Sequence, residues 1–248
     1  MLMRGGNLNC VSVLSGQDYR TPPKKKEDAL IDKRKGKGTG GIVIAILLAA
    51  GMPACLVPPF SSLQDARLAG KGKVELTPFG TAVSPFGQNS QTDLGLQLLW
   101  GVSRKLDLGF RYEYLFSPGG DEGYDQDVSA HTFAAGPKVS LIRSHVALFL
   151  PVGFAVGGSV GSELIWEFQP TAIFTVPISG SVDLNASAKG LIPLNRDRDT
   201  LCAVDLGLGF RPGRGSWNFR PEIGILFNPK GGGSYFQASL GLSYRLGK

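Results

Sequence analysis

The chain has 248 residues and a formal net charge of +6, enough for one large domain, or for one domain behind a removable leader. Nine of its 26 Lys and Arg and four of its 20 Asp and Glu stand in the first 55 residues, which leaves 17 bases against 16 acids beyond them. A basic face for nucleic acid is therefore excluded from the folded part. Three scattered cysteines, Cys10, Cys55 and Cys202, supply neither a disulfide framework nor a metal site, and no cofactor is expected.

In chain order, residues 1–40 read as a basic leader. From Lys24 to Gly40 the run KKKEDALIDKRKGKGTG has no apolar period and too little to bury for a fold of its own. The run GIVIAILLAAG, Gly41 to Gly51, is about half of the ~20 residues a spanning helix needs. It matches the apolar region of a signal peptide behind a basic segment, with a short buried helix or strand as the alternative. Because signal peptides open close to their basic region, translation from Leu30 is the expected start, giving IDKRKGKGTGG as the opening. Ala49-Ala50-Gly51 offers a small-x-small cleavage site, while Met52-Pro53-Ala54-Cys55 is a loose lipobox that makes Cys55 a candidate for lipidation. The signal region is taken as 41–55 and residues 56–72 as a periplasmic linker.

From Lys73 on, apolar and polar residues alternate with period two, the pattern of half-buried strands. In 105 to 116, Leu106, Leu108, Phe110, Tyr112, Tyr114 and Phe116 share one face and Lys105, Asp107, Gly109, Arg111 and Glu113 the other; a helix would scatter the same charges all round. The sorting recurs at 164–175, 182–189, 204–211 and 235–246. It predicts strands near 73–83, 92–102, 104–116, 130–141, 145–156, 163–177, 181–192, 200–210, 217–227 and 235–246, ten in all, with eight as the fallback. Short turns at Ser103, Arg143-Ser144 and Ser179-Gly180 alternate with longer polar connections such as SPGGDEGYDQDVS, as in barrels with one short-turn rim. Aromatics towards the strand ends of the apolar face, among them Trp100, Tyr112, Phe210 and Tyr244, suit interfacial girdles. Pro151, Pro170 and Pro221 fall inside strands, although a closed wall has no edge to accommodate proline.

These segments, with the closing strand YFQASLGLSYRLGK, resemble the small bacterial outer-membrane β-barrels of the OmpA-domain, OmpX-like and OmpW-like sort over about residues 73–248. The terminal Leu246-Gly247-Lys248 departs from the aromatic end usual in that group. The resemblance implies an all-β, closed antiparallel transmembrane barrel in the outer membrane, with surface-exposed loops. It also implies outer-membrane lipid and the barrel-assembly machinery as partners.

A polar interior would be lined by Asp107, Arg111, Glu113, Lys138, Glu167, Asp183, Lys189, Asp205, Arg220, Glu222 and Arg245, together with Glu75, Asp93 and Lys105. Such charges must pair, since an isolated one in a narrow lumen costs several kcal/mol. They form either a salt-bridged plug or a narrow pore for ions and small solutes. Only His131, beside the acidic run Asp121, Glu122, Asp125 and Asp127, and His145 are available for rim catalysis. With no nucleophile motif, both read as ordinary rim residues. The Gly-rich runs at 211–215 and 230–233 are turns and not phosphate loops. The expected function is non-enzymatic: a small pore, or a structural or surface-exposed membrane protein. The rivals are an outer-membrane enzyme and a periplasmic lipoprotein with a soluble barrel.

Overall fold

Period-two alternation becomes a wall of antiparallel strands. In the computed structural model the described residues are 57–85, 91–117, 128–157, 164–195, 199–212, 216–231 and 234–247. The hydrogen-bonded segments are β1 (Val74–Pro85), β2 (Gln91–Gly101), β3 (Leu106–Ser117), β4 (Val128–Ile142), β5 (Val146–Phe149) and β6 (Val152–Val156). They continue as β7 (Ile165–Phe168), β8 (Thr171–Pro177), β9 (Val182–Pro193), β10 (Leu201–Phe210), β11 (Trp217–Phe227) and β12 (Ser234–Leu246). Because β4 pairs with both β5 and β6, and β9 with both β7 and β8, these four segments are two interrupted wall strands. Ten wall strands result. The register of β1 with β12, from Val74↔Leu246 to Pro85↔Tyr235, closes the sheet on itself, so no edge is left to aggregate.

The prolines sit where the ladder is broken. Leu150-Pro151 and Gln169-Pro170 interrupt neighbouring strands side by side, and the Gln169 amide donates to the Pro151 carbonyl at 2.9 Å. The Gly190 amide in turn donates to the Pro170 carbonyl at 2.9 Å. Both proline carbonyls are thus used, and pairing lapses only where an N–H would be needed. At Pro221 the β10–β11 ladder stops after Gly207↔Glu222 and resumes at Phe210↔Phe219. A closed wall therefore accommodates proline by leaving two residue pairs of one ladder unmatched, while Pro221 keeps its place opposite Leu240 in the other.

Connections 102–105, 143–145, 178–181 and 211–216 lie at one end, the turn rim; 86–90, 118–127, 157–164, 194–200 and 228–233 join strands at the other, the loop rim.

Burial is inverted relative to a water-soluble barrel. Asp107, Lys138 and Asp183 are each 0% exposed, whereas Leu94 is 59% and Ile223 52% exposed on the outside. Apolar surface left in water forfeits about 25 cal/mol per Å², so a belt of this extent is stable only in lipid. Outward rings cluster on the loop side, with Tyr112–Phe133 centroids 5.1 Å apart, Phe133–Phe154 5.2 Å and Phe154–Trp166 5.1 Å. Near the turn rim Trp217 and Tyr244 lie 4.5 Å apart. Two aromatic zones flanking an apolar band mark a transmembrane barrel.

One expectation is overturned. Residues 57–69, within the stretch read as a periplasmic linker, lie inside the barrel. Val57, Phe60, Leu63, Ala66 and Ala69 are all buried. Around Val57 and Phe60 the wall turns Val83, Leu191, Leu201, Ala203 and Leu226 inward, forming an apolar collar near the loop rim. A second small cluster of Ala66, Ala147, Phe149 and Ile173 lies lower. The two apolar patches explain why a lumen otherwise lined by charge admits a chain segment.

Candidate functional site

The site is the contact between residues 57–69 and the inner face of the wall. An extended backbone offers one N–H and one C=O per residue, and each needs a partner when buried. The wall supplies them as side chains. At the loop rim the Val57 amide donates to Gln91 Oε1 at 2.7 Å, and Gln91 Nε2 donates back to the Val57 carbonyl at 3.0 Å. Below the collar, the Ser61 carbonyl accepts from Arg111 Nη1 at 2.6 Å and from Lys189 Nζ at 2.9 Å. Arg111 also donates to Ser61 Oγ and Glu113 Oε1, with its guanidinium 4.6 Å from the centre of the Phe79 ring.

Midway, the amides of Ser62 and Leu63 donate to the two carboxylate oxygens of Glu222, each at 2.7 Å. Arg220 Nη1 donates to the Leu63 carbonyl at 2.7 Å, while its Nη2 reaches Asp65 Oδ2 at 3.1 Å and Glu75 Oε1 at 2.8 Å. Lys138 Nζ donates to the carbonyls of Asp65 (2.7 Å) and Arg67 (3.1 Å). The Ala66 amide donates to Thr175 Oγ1 at 2.7 Å. Nearest the turn rim, Arg67 forms a two-pronged pair with Asp183, and the Ala69 amide donates to Asp107 Oδ2 at 2.7 Å. The chain then turns into β1 through Gly70 and Gly72, with φ of 93° and 75°, a region open to glycine at little cost. Gly101 lets this corner close, since a Cβ there would meet the Gly70 carbonyl oxygen at 1.8 Å.

The expected lumen residues Asp107, Arg111, Glu113, Lys138, Asp183, Lys189, Asp205, Arg220 and Glu222 are buried inside the wall. They pair less with each other than sequence reasoning supposed. Six of them hold backbone groups of residues 61–69, and Asp183 takes the side chain of Arg67. Glu167 accepts from Gln169 Nε2 at 2.7 Å close to the loop rim. Arg245 donates to Glu75 Oε2 at 2.6 Å at the turn rim. Asp205 accepts from Ser187 and Gln237, each at 2.8 Å. Lys105, expected inside, is exposed between β2 and β3. Gln91 and Thr175 were missed because a neutral side chain on the polar face carries no signal of a buried partner. The segment itself left one trace: Val57, Phe60, Leu63, Ala66 and Ala69 recur every third residue, a spacing foreign to a solvated linker.

His131 lies on the outer face, its Nδ1 3.0 Å from Tyr112 Oη and its ring 5.2 Å from that of Tyr114. His145 is at the turn rim, where its Nδ1 donates to the Thr175 carbonyl at 3.2 Å. The structure does not bring the two together. Asp121, Glu122, Asp125 and Asp127, like Cys55 and the signal region, lie outside the described residues. Among the described residues no group of three or more His, Cys, Asp and Glu is placed to hold a metal. A cavity of about 80 Å³ is lined by Arg111, Glu113 and Gln169 together with Val57, Pro58 and Pro59. Deeper, Ser62, Gln64 and Lys189 border a void of about 10 Å³, room for about one water. On the loop rim itself Asp199 is clasped by Lys230 Nζ (2.8 Å) and Asn228 Nδ2 (3.0 Å). Those two hydrogen bonds, Lys230 first, hold its carboxyl below its ordinary value of 3.8.

Fold and site together define a closed, ten-stranded transmembrane β-barrel whose lumen is occupied by its own chain. No family model matches the sequence, and comparison with curated proteins finds no match. Among solved structures the chain is similar to an outer membrane channel from Pseudomonas putida F1, with 9% identity and a TM-score of 0.45, over 75% of this chain and 100% of that one. It is similar to the translocator domain of the autotransporter NalP from Neisseria meningitidis, with 13% identity and a TM-score of 0.43, over 71% and 89%. The N-terminal β-barrel domain of Pseudomonas aeruginosa OprF gives 14% identity and a TM-score of 0.32, over 71% and 99%. These likenesses resolve no subfamily.

Proposed function

We propose that this protein is a non-enzymatic outer-membrane barrel, closed by residues 57–69 in its resting state, that serves as a structural or surface-exposed membrane protein. The observation that carries the reading is the lumen segment, whose buried amides and carbonyls take up the side chains that would otherwise line a pore. Outer-membrane lipid covers the apolar belt, the barrel-assembly machinery inserts the wall, and the connections 118–127 and 157–164 face outward. Small ions or solutes pass only where the segment is withdrawn. His131 among outward rings and His145 at the opposite rim favour a non-enzymatic role over a rim active site.

Planar-bilayer recording tests this. The mature protein is expected to be electrically silent, and a variant lacking residues 57–66 to conduct in discrete steps. Steady conductance by the unaltered protein would replace the plugged reading with that of an open pore. Recovery of the protein in an aqueous extract would remove the membrane assignment.

A further inference from the structure

The lumen segment has a direction. Val57 is bonded to Gln91, the first residue of β2 after the 86–90 connection, and packs against Val83, Leu201 and Leu226, which all stand at strand ends on the loop rim. Ala69 is bonded to Asp107 at the start of β3, and the Gly72 amide donates to the Gly101 carbonyl at 2.7 Å, both at the turn rim. The chain then reverses and enters the wall at Val74. Residues 57–69 thus cross the barrel once, antiparallel to β1, before the wall begins. Thirteen extended residues reach at most about 43–47 Å, enough for the ~30 Å of hydrocarbon in a bilayer.

We infer that the barrel is threaded by its own chain, so that everything N-terminal to Val57 leaves at the loop rim, on the opposite side of the membrane from the start of β1. This reverses the arrangement expected of a linker that enters the wall from the turn side. The threaded segment is gripped along its length by β2, β3, β4, β8, β9 and β11, through Gln91, Arg111, Lys138, Thr175, Lys189, Arg220 and Glu222. No single loosened contact frees it. The barrel therefore works as a holder that presents Val57, the upstream end of the threaded segment, at the loop rim. With outward loops, as proposed above, the presenting side is the cell surface.

Three epitope insertions in the full-length protein test this in cells: between Leu56 and Val57, within 118–127, and at Ser179-Gly180. Each is probed with antibody before and after the outer membrane is permeabilised. The 56/57 and 118–127 epitopes are expected to behave alike, both detected in intact cells, and the 179/180 epitope to appear only after permeabilisation. A 56/57 epitope that follows 179/180 overturns the threading. If 56/57 and 118–127 agree but are both hidden in intact cells, threading stands and the outward placing of the loops fails instead. A second measurement does not depend on insertions or orientation. In purified protein with Cys10, Cys55 and Cys202 changed to Ser, a short bismaleimide is expected to join the pair Val57→Cys and Gln91→Cys. It is not expected to join Val57→Cys and Asp107→Cys, and the reverse result overturns the inference.

Discussion

Arg220 donates to the carbonyl of Leu63 at 2.7 Å while Leu63 adopts a φ of 50°, a left-handed conformation unusual for a branched apolar residue. The same residue gives its amide to Glu222, so both backbone groups of Leu63 are held by neighbouring side chains of β11. The wall, not local preference, sets the backbone at the middle of the lumen segment.

Removing that grip exposes its worth. In Arg220→Ala the carboxylates of Glu75 and Asp65 and the Leu63 carbonyl lose a buried partner. Breaking one side of a buried pair costs about 3–5 kcal/mol, so the folded band in heat-modifiability gels is expected to melt at distinctly lower temperature. An unchanged transition would mean that water replaces the guanidinium at little cost.

Glu222→Gln is a finer probe. A carboxylate accepts at two oxygens but an amide at one, so either the Ser62 or the Leu63 amide is left facing an NH₂ group. An orphaned buried donor costs about 1–3 kcal/mol. Hydrogen exchange at residues 62 and 63 is expected to speed up, with little change on β3 or β12.

Gly95 lies under the Phe79 ring, and a Cβ there would come within 2.2 Å of the ring edge. Phe79 is buried against Arg111 and has little room to move. Gly95→Ala is expected to destabilise the barrel by about 1–3 kcal/mol, as overpacking does. Combining it with Phe79→Leu should recover much of the loss in urea unfolding from lipid vesicles.

On the lipid face Ile223→Arg should cost about 2–4 kcal/mol if the site lies at mid-bilayer, because charge is expensive in hydrocarbon. In the same unfolding assay an equal stability of variant and parent would contradict a lipid-facing belt.

The Asp199–Lys230 clasp gives a pH signature. A carboxyl held below its ordinary 3.8 stabilises the clasp above that value and releases it as pH falls through the lowered midpoint. The carbon NMR titration of Asp199 is expected to fall below 3.8, and to move up in Lys230→Met, where only Asn228 still donates. Neutral-pH behaviour should be the same in both.

The strand pattern is legible in the sequence because alternation has a period of two residues. Once Asp107, Arg111 and Glu113 share a face and Phe110 and Tyr112 the other, every register that keeps the pleat sorts charge from apolar surface. The strands followed from that alternation, the two kinds of rim from the lengths of the connections between them, and the inward facing of the charges only from the aromatic strand ends and the resemblance to membrane barrels. The prolines were legible as exceptions but not as a solution, since nothing in the chain order says that Pro151 and Pro170 stand side by side. The lumen segment was not legible for a deeper reason. What Arg111, Lys138, Arg220 and Glu222 bind there is mainly backbone, and a backbone amide or carbonyl is the same on Ser62 or Leu63 as on any other residue. Only closure of the wall around residues 57–69 decided which amides the carboxylates would accept from and which carbonyls the guanidinium and ammonium groups would donate to.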